Sequence, residues 1–208
     1  MKENFLTFIK NLNESSYLEY YITYLISPVL TGVKPSSLIG IGNDDRPLLN
    51  LWKKEGNNLL FSLDLKALTL RSVKGREIVL IYNEENLLQI LNREENKKFL
   101  EKLGYLDLDN INKTLTHLYE RYSAFHCPHE VGIFLGIPLH DVEAFMDCSE
   151  KKCLLCGYWK VFSNEEKAKE LFRIYDWSRE MVMTYSLQKK EVKWIASILR
   201  DSFSCAAL

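Results

Sequence analysis

The sequence predicts an α+β fold: a single domain with a small, mostly antiparallel sheet packed with several helices. Two short runs of branched and aromatic residues, separated by a polar turn, are typical of paired strands. Most of the remaining segments carry apolar residues at helical spacing. With 208 residues, 47% of them hydrophobic, and no internal repeat, we expect one domain at 1–208. Its helical and strand-bearing N-terminal part is 1–108, and its C-terminal part is 109–208.

The first half of the chain predicts one helix and one hairpin. Aromatic residues recur at helical spacing over 15–26, and Pro28 is expected to end that helix. The runs at 59–70 and 77–83 predict two strands on either side of the turn "RSVKGR". These strands are expected to form the core of the sheet.

The rest of the chain predicts a series of helices and one further strand. Several of these segments begin with Asn or Asp and place apolar residues on one face, and Gly104 marks a helix stop. The predicted helices are 83–91, 92–104, 109–124, 138–146, 164–188 and 191–203, with a strand at 153–162.

Charge and cysteine usage limit the class of protein. The 27 basic and 28 acidic residues leave a net charge of −1, which argues against a general nucleic-acid binder. The N-terminus lacks both a cleavage site and an apolar run near the roughly 20 residues that span a bilayer. An odd number of cysteines, five, is more typical of reduced thiols than of a secreted disulfide framework. We expect a soluble cytoplasmic protein that binds neither nucleic acid nor membrane.

The stretch "CPHEVGIFLG", residues 127–136, suggests a reactive thiol. Pro128 suits the first position of a helix, which makes Cys127 the expected N-cap. The positive end of the helix dipole there favours the thiolate. All four histidines lie within 24 residues around this cysteine, so a base is available. In the alternative interpretation, Cys127 is a small buried cap and the histidines are ordinary polar residues.

Three further cysteines suggest a metal site. Cys148, Cys153 and Cys156 have the C-x4-C-x2-C spacing of three plant-type [2Fe–2S] ligands. A zinc site that combines them with His129 or His140 is the second possibility. Against both, a strand through "CLLC" would place the two sulfurs on opposite faces.

The same region also has the spacing of a helix-turn-helix. Gly132, Gly136 and Val142 stand where such motifs place a small residue, a turn glycine and a buried branched residue. The second helix carries three acidic residues and no Lys or Arg, which argues against contact with phosphates. We therefore expect the helix pair as a structural element or an interaction domain.

Three segments resemble a known family. "PHEVGIFLGIPLHDVEAFM", "CGYWKVFSNEEKAKELF" and "PVLTGVKPSSLI" resemble the mostly clostridial family catalogued as domain of unknown function 3793. The resemblance implies a bacterial protein. It also implies a relation to cysteine-protease-like enzymes that form amide bonds in secondary metabolism, and therefore a cysteine-protease-like fold. The matching positions are Pro35, His129, Glu130, Gly132, Gly136, Pro138, Asp141, Cys156, Gly157, Trp159 and Lys160.

Two cysteines compete as nucleophile in the resulting hypothesis. The enzyme would transfer an acyl group from a thioester or amide to an amine, without a cofactor. The predicted helix N-cap favours Cys127, whereas the resemblance favours Cys156. An acyl carrier protein and an amine substrate are the implied partners.

The remaining catalytic candidates would transfer the proton or orient the group that transfers it. His129 or His140 would act as the base, and Asp141 or Glu130 would orient the imidazole. The main alternative is a non-enzymatic protein that uses its thiols for zinc, for a [2Fe–2S] cluster or for a redox-accessory role.

Overall fold

The protein has an α+β fold with antiparallel strand pairs. The computed structural model describes residues 1–43, 46–147 and 152–204. No helix among these residues is long and apolar enough to cross a membrane.

The chain forms two compact units. The first combines Met1–Asn83 with Ile174–Leu208, and the second is the continuous segment Glu84–Arg173. That the chain behaves as one domain stays a prediction.

The first unit contains the three-stranded sheet. Its elements are α1 (Lys2–Lys10), α2 (Glu14–Leu30), β1 (Ser36–Gly42), α3 (Leu48–Ser62), β2 (Lys66–Val73), β3 (Arg76–Tyr82), the greater part of α9 (Glu165–Leu187) and α10 (Val192–Ser204). The strand order is β1-β3-β2, with Ser36 and Lys66 both opposite Tyr82 on the central strand. The hairpin of β2 and β3 was predicted, and the structure confirms it.

One buried cluster joins the helices of this unit to its sheet. Leu18, Ile22 and Ile26 recur every four residues along α2, so they lie on one face of that helix. They pack in the same cluster as Val79 and Ile81 of β3. The helical spacing of α2 is thus explained by burial against the sheet.

The prediction of strand at 59–62 is wrong, because these residues end α3. The pattern of buried residues begins upstream at Leu48 and continues through Trp52 to Leu59 and Leu60, which is a helical stripe. A short apolar run has the same appearance in a strand and in a buried helix. Here the helix is distinguished from a strand only by the buried residues upstream, which continue the helical spacing.

The structure differs from prediction in two ways near Pro28: in the end of α2 and in the segment that follows it. This proline lies inside α2, which ends at Leu30. The Tyr24 carbonyl, which the proline cannot bond, accepts a hydrogen bond of 3.1 Å from the Ser27 hydroxyl instead. The segment after the helix forms β1, which the sequence analysis did not identify, because its pairing partner β3 lies 40 residues away.

The second unit is mainly helical. Its elements are α4 (Glu84–Leu91), α5 (Glu94–Lys102), α6 (Ile111–Phe125), α7 (Val131–Phe134), α8 (Leu139–Met146), β4 (Leu155–Cys156), β5 (Lys160–Val161) and the start of α9. The structure confirms the predicted helices, including the Asn110 side chain as cap of α6 and Gly104 as a stop with φ of +90°.

The predicted strand at 153–162 is a small hairpin rather than one strand. Leu155 pairs with Val161, and Cys156 pairs with Lys160. Gly157 lies so close to α9 that a Cβ there would stand 2.2 Å from Cε2 of Phe172. A glycine is therefore required at the point where the chain reverses.

Candidate functional site

Three of the six catalytic candidates, Cys127, His129 and Asp141, line a small apolar cavity within the second unit. Its volume is about 250 Å³. The lining side chains are mostly apolar, with a thiol, an imidazole, a carboxylate and an ammonium group among them: Cys127, His129, Val131, Gly132, Leu135, Ile137, Asp141, Val142, Phe145, Trp159 and Lys160. The cavity thus resembles a small-molecule site, in which a few polar groups stand in an apolar lining.

The wall of the cavity is built by the close packing of α7 and α8. Gly132 lies against Val142, and a Cβ on the glycine would stand 2.8 Å from Cγ2 of that valine. Gly136 turns the chain between the helices with φ of +79°. The structure confirms the predicted helix pair and its need for small residues.

The structure corrects the expected position of Cys127. The helix begins only at Val131, its N-cap is Glu130, and it is four residues long. The turn before it is held by bonds such as that from the Val131 N–H to the Pro128 carbonyl, 3.1 Å. Cys127 is therefore an exposed free thiol that precedes the turn, and it is not the N-cap of a helix.

His129 is the histidine of this cavity. Its ring meets that of Phe145 edge to face, with centroids 5.1 Å apart. The other three histidines, all within the described residues, do not line the cavity. His117 instead bonds the Leu103 carbonyl through Nε2 at 3.1 Å, so histidines that are close in sequence are separated in the fold.

Asp141 lines the cavity but has both of its oxygens engaged. Oδ2 accepts the Trp159 indole N–H at 2.8 Å. Oδ1 accepts the backbone N–H groups of Phe162 and Ser163, both at 2.9 Å, and the Ser163 hydroxyl at 3.0 Å. With 2% exposure, this carboxylate joins α8 to β5 and the segment that follows it. These bonds suit a structural role better than the orientation of an imidazole.

Glu130 is engaged in the same way. The side chain is 1% exposed, forms an ion pair with Arg121 and accepts a hydrogen bond of 3.4 Å from the Tyr105 hydroxyl. The hydrogen bond between the Glu130 carboxylate and the Arg121 guanidinium raises the pKa of Arg121. Burial, followed by the nearby charge of Glu130, raises the pKa of Tyr105. Glu130 is not among the lining residues of the cavity.

Two other candidates lie outside the cavity lining. His140 is exposed on α8, and Cys156 is exposed on β4. Neither is among the residues that line the cavity. Of the two competing cysteines, Cys127 is the one that lines the cavity, which His129 also lines.

The metal hypothesis concerns residues that the structure describes only in part. Cys148 lies outside the described residues. Within the described ranges, no group of three or more His, Cys, Asp or Glu side chains is arranged to hold a metal ion. The Cys153 and Cys156 sulfurs lie 3.9 Å apart, so the prediction that they point to opposite faces is wrong. Zinc or a [2Fe–2S] cluster stays a prediction.

Sequence reasoning missed three contributors to the cavity. Trp159 and Lys160 carried the family resemblance, but the sequence analysis gave neither residue a role in the site. In the structure both line the cavity together with Phe145. The Lys160 ammonium lies 5.8 Å from the centroid of the Phe145 ring. The sequence motif contains Trp159 and Lys160, but no short-range sequence feature predicts that they lie at the same cavity as Cys127.

Comparison with known proteins identifies one relationship. A family model described as "Protein of unknown function (DUF3793)" matches residues 22–196. No curated protein and no solved structure gives a significant match to the chain.

Proposed function

This chain belongs to the DUF3793 family, and on that premise we propose that its cavity carries out cysteine-dependent acyl transfer from a thioester to an amine. Cys127 is the proposed nucleophile, and His129 is the proposed base. The observation that carries the proposal is that this free thiol and this imidazole line one apolar cavity.

The proposed reaction needs no change of oxidation state. The Cys127 thiolate attacks the carbonyl carbon of the donor, the carbon–sulfur bond of the thioester breaks, and the donor thiol leaves with a proton. The amine then attacks the acyl-cysteine and gives its proton to His129. An amide bond forms, and Cys127 is released as a thiol.

The cavity offers a cation for the negative charge of the tetrahedral intermediate. Lys160, an exposed residue, lines the same space as Cys127, and most of the other lining side chains are apolar. Electrostatic interactions are stronger in such surroundings than in water. We propose this role for Lys160, whose side chain is also exposed to solvent.

The proposal is a cysteine–histidine pair rather than a triad. Asp141 and Glu130 are both held by buried hydrogen bonds or ion pairs. The Phe145 ring packs edge to face against the His129 ring. We therefore propose that aromatic packing positions the imidazole.

The size of the cavity limits the acyl group. Its volume of about 250 Å³ is below the roughly 300–1,000 Å³ of sites for drug-sized ligands. A short apolar acyl chain fits this volume and lining. The family resemblance suggests an acyl carrier protein as the donor, but a short free thioester is small enough to test the chemistry alone.

The test incubates the full chain with a butyryl thioester of N-acetylcysteamine, with and without a primary amine. We expect release of the free thiol and a butyryl adduct on the peptide that contains Cys127, both abolished in Cys127→Ser. His129→Ala should lower the acylation rate by about 10²-fold, in the range of lost general-base catalysis. Mass spectrometry of the peptides and a colorimetric thiol assay provide the two readouts.

Two matched variants serve as controls. Cys156→Ser and His140→Ala change an exposed thiol and an exposed imidazole outside the cavity, and each should retain the wild-type rate. Equal acylation of wild type and Cys127→Ser would refute the proposal. An unchanged rate in His129→Ala would remove the histidine from it.

The apolar lining also supports a second candidate, the binding of a short acyl group without reaction. In that case a butyryl compound should bind wild type and Cys127→Ser equally in calorimetry. No adduct should form with the thioester in either protein.

A further inference from the structure

A pair of thiols outside the cavity is placed for a reaction of its own. The Cys153 and Cys156 sulfurs are 3.9 Å apart, and both cysteines are free. Cys156 is exposed and Cys153 is half-buried. Small reagents can therefore reach at least one sulfur of the pair.

The hairpin keeps the two thiols together. The Leu154 N–H bonds the Val161 carbonyl at 2.8 Å, and the Gly157 N–H bonds the Trp159 carbonyl at 3.1 Å. The Cys153 thiol also donates to the Leu155 carbonyl at 3.2 Å, which turns its sulfur back over the chain towards Cys156. The short separation is thus a product of the backbone of β4 and β5.

We infer that Cys153 and Cys156 form a redox-active dithiol, which a low-molecular-weight disulfide such as oxidised glutathione converts to an intramolecular disulfide. The site does not depend on the proposed acyl transfer, because neither thiol lines the cavity.

The geometry requires only a small movement. A disulfide needs its sulfurs about 2.05 Å apart, against 3.9 Å in the dithiol. Rotation about side-chain bonds can close such a gap. The hairpin bonds on either side of the pair join backbone atoms, and closure does not consume them.

The two thiols have different roles in the exchange. Cys156 is the attacking thiol because it is the more exposed of the two and is open to the reagent. Burial, followed by the hydrogen bond with Cys156, raises the pKa of Cys153. That thiol is suited to react second, on a sulfur that already lies beside it.

The exchange balances in electrons and protons. The Cys156 thiolate attacks one sulfur of glutathione disulfide, the sulfur–sulfur bond breaks, and one glutathione leaves. The Cys153 thiolate then attacks the Cys156 sulfur of the mixed disulfide and displaces the second glutathione. Two electrons pass from the protein to the reagent, and two glutathione thiols take up the protons.

The test uses reduced full-length protein in glutathione buffers of increasing oxidised fraction, quenched by alkylation and digested with trypsin. Cleavage after Lys152 and Lys160 places both cysteines on one peptide, 153–160. We expect this peptide to escape alkylation and lose the mass of two hydrogen atoms as the oxidised fraction rises. Cys127→Ser and Cys148→Ser should leave the conversion unchanged.

The single variants distinguish the two roles. Cys153→Ser should accumulate a glutathione adduct on Cys156, whereas Cys156→Ser should react much more slowly. Two results would overturn the inference: separate glutathione adducts on both cysteines of the wild type, or stoichiometric zinc in the purified protein that protects the peptide from oxidation.

Discussion

At the scale of single residues, Asp141 decides how the hairpin is attached. Its two oxygens accept four hydrogen bonds, of which one comes from Trp159 and two from Ser163. A buried carboxylate is tolerated where all of its acceptor sites are used. The hydrogen bond from Trp159 to Asp141 also holds the indole at the cavity. Asp141 therefore helps to position the site without itself reacting.

We predict that Asp141→Asn lowers the free energy of unfolding by about 1–3 kcal/mol. An asparagine oxygen can still accept the N–H of Ser163, but its amide group then faces the indole N–H of Trp159, which is also a donor. Urea denaturation measures the change. Asp147→Asn, at an exposed position just after α8, should stay within about 0.5 kcal/mol of wild type. Equal stability of both variants would contradict the role given to Asp141.

At the scale of secondary-structure elements, the pair α7 and α8 depends on one close contact. α7 has four residues, too few to be stable through its own hydrogen bonds. Its place is set by packing, with Ile133 and Phe134 fully buried. Gly132 allows α8 to approach at the position of Val142.

We predict that Gly132→Ala destabilises the protein by about 1–3 kcal/mol, because the new methyl group overlaps the short, stiff side chain of Val142. Gly132→Ala combined with Val142→Ala should cost less than the sum of the two single changes in a double-mutant cycle. Thermal unfolding provides the measurement.

The matched control for this change is Gly40→Ala on β1. A Cβ at that position meets Cδ1 of Ile78 at 3.8 Å, an ordinary contact. Alanine should be neutral or slightly stabilising there. If both alanine variants unfold alike, the contact between Gly132 and Val142 does not limit the packing of the helix pair.

At the scale of the whole molecule, the stability of the fold includes the cost of a half-buried lysine. In the first unit, the Lys34 ammonium lies 5.6 Å from the centroid of the Tyr175 ring and 3.5 Å from the Ser37 hydroxyl. Burial, followed by the charge of Arg179, lowers the pKa of Lys34 from 10.5 to about 8. Between those two pH values the unfolded chain holds a proton that the folded chain has lost, so Lys34 destabilises the folded state most below pH 8.

We predict that Lys34→Met stabilises the protein at pH 7 by about 1–3 kcal/mol and that this gain shrinks as the pH approaches 10. Denaturant unfolding of wild type and variant between pH 6 and 10 measures the difference. Lys10→Met, at an exposed lysine of the same unit, should stay within about 0.5 kcal/mol of wild type at pH 7. A constant offset for Lys34→Met would contradict the lowered pKa.

The sequence by itself determined the elements whose signals are local. Asn110 as a cap, Gly104 as a stop and the turn between β2 and β3 each act within a few residues, so the helices of the second unit and the hairpin were predicted. The signature motif likewise indicated the family, which the family model confirms. Its spacing also indicated the close pair α7 and α8.

The tertiary structure alone decided the features that depend on contacts between distant residues. The strand β1 forms because β3 pairs with it. Cys127 lines a cavity because Trp159 and Lys160, more than 30 residues later in the chain, line the same space. Local propensity constrains a few neighbouring dihedral angles, whereas burial and hydrogen bonding of remote groups depend on how the whole chain packs.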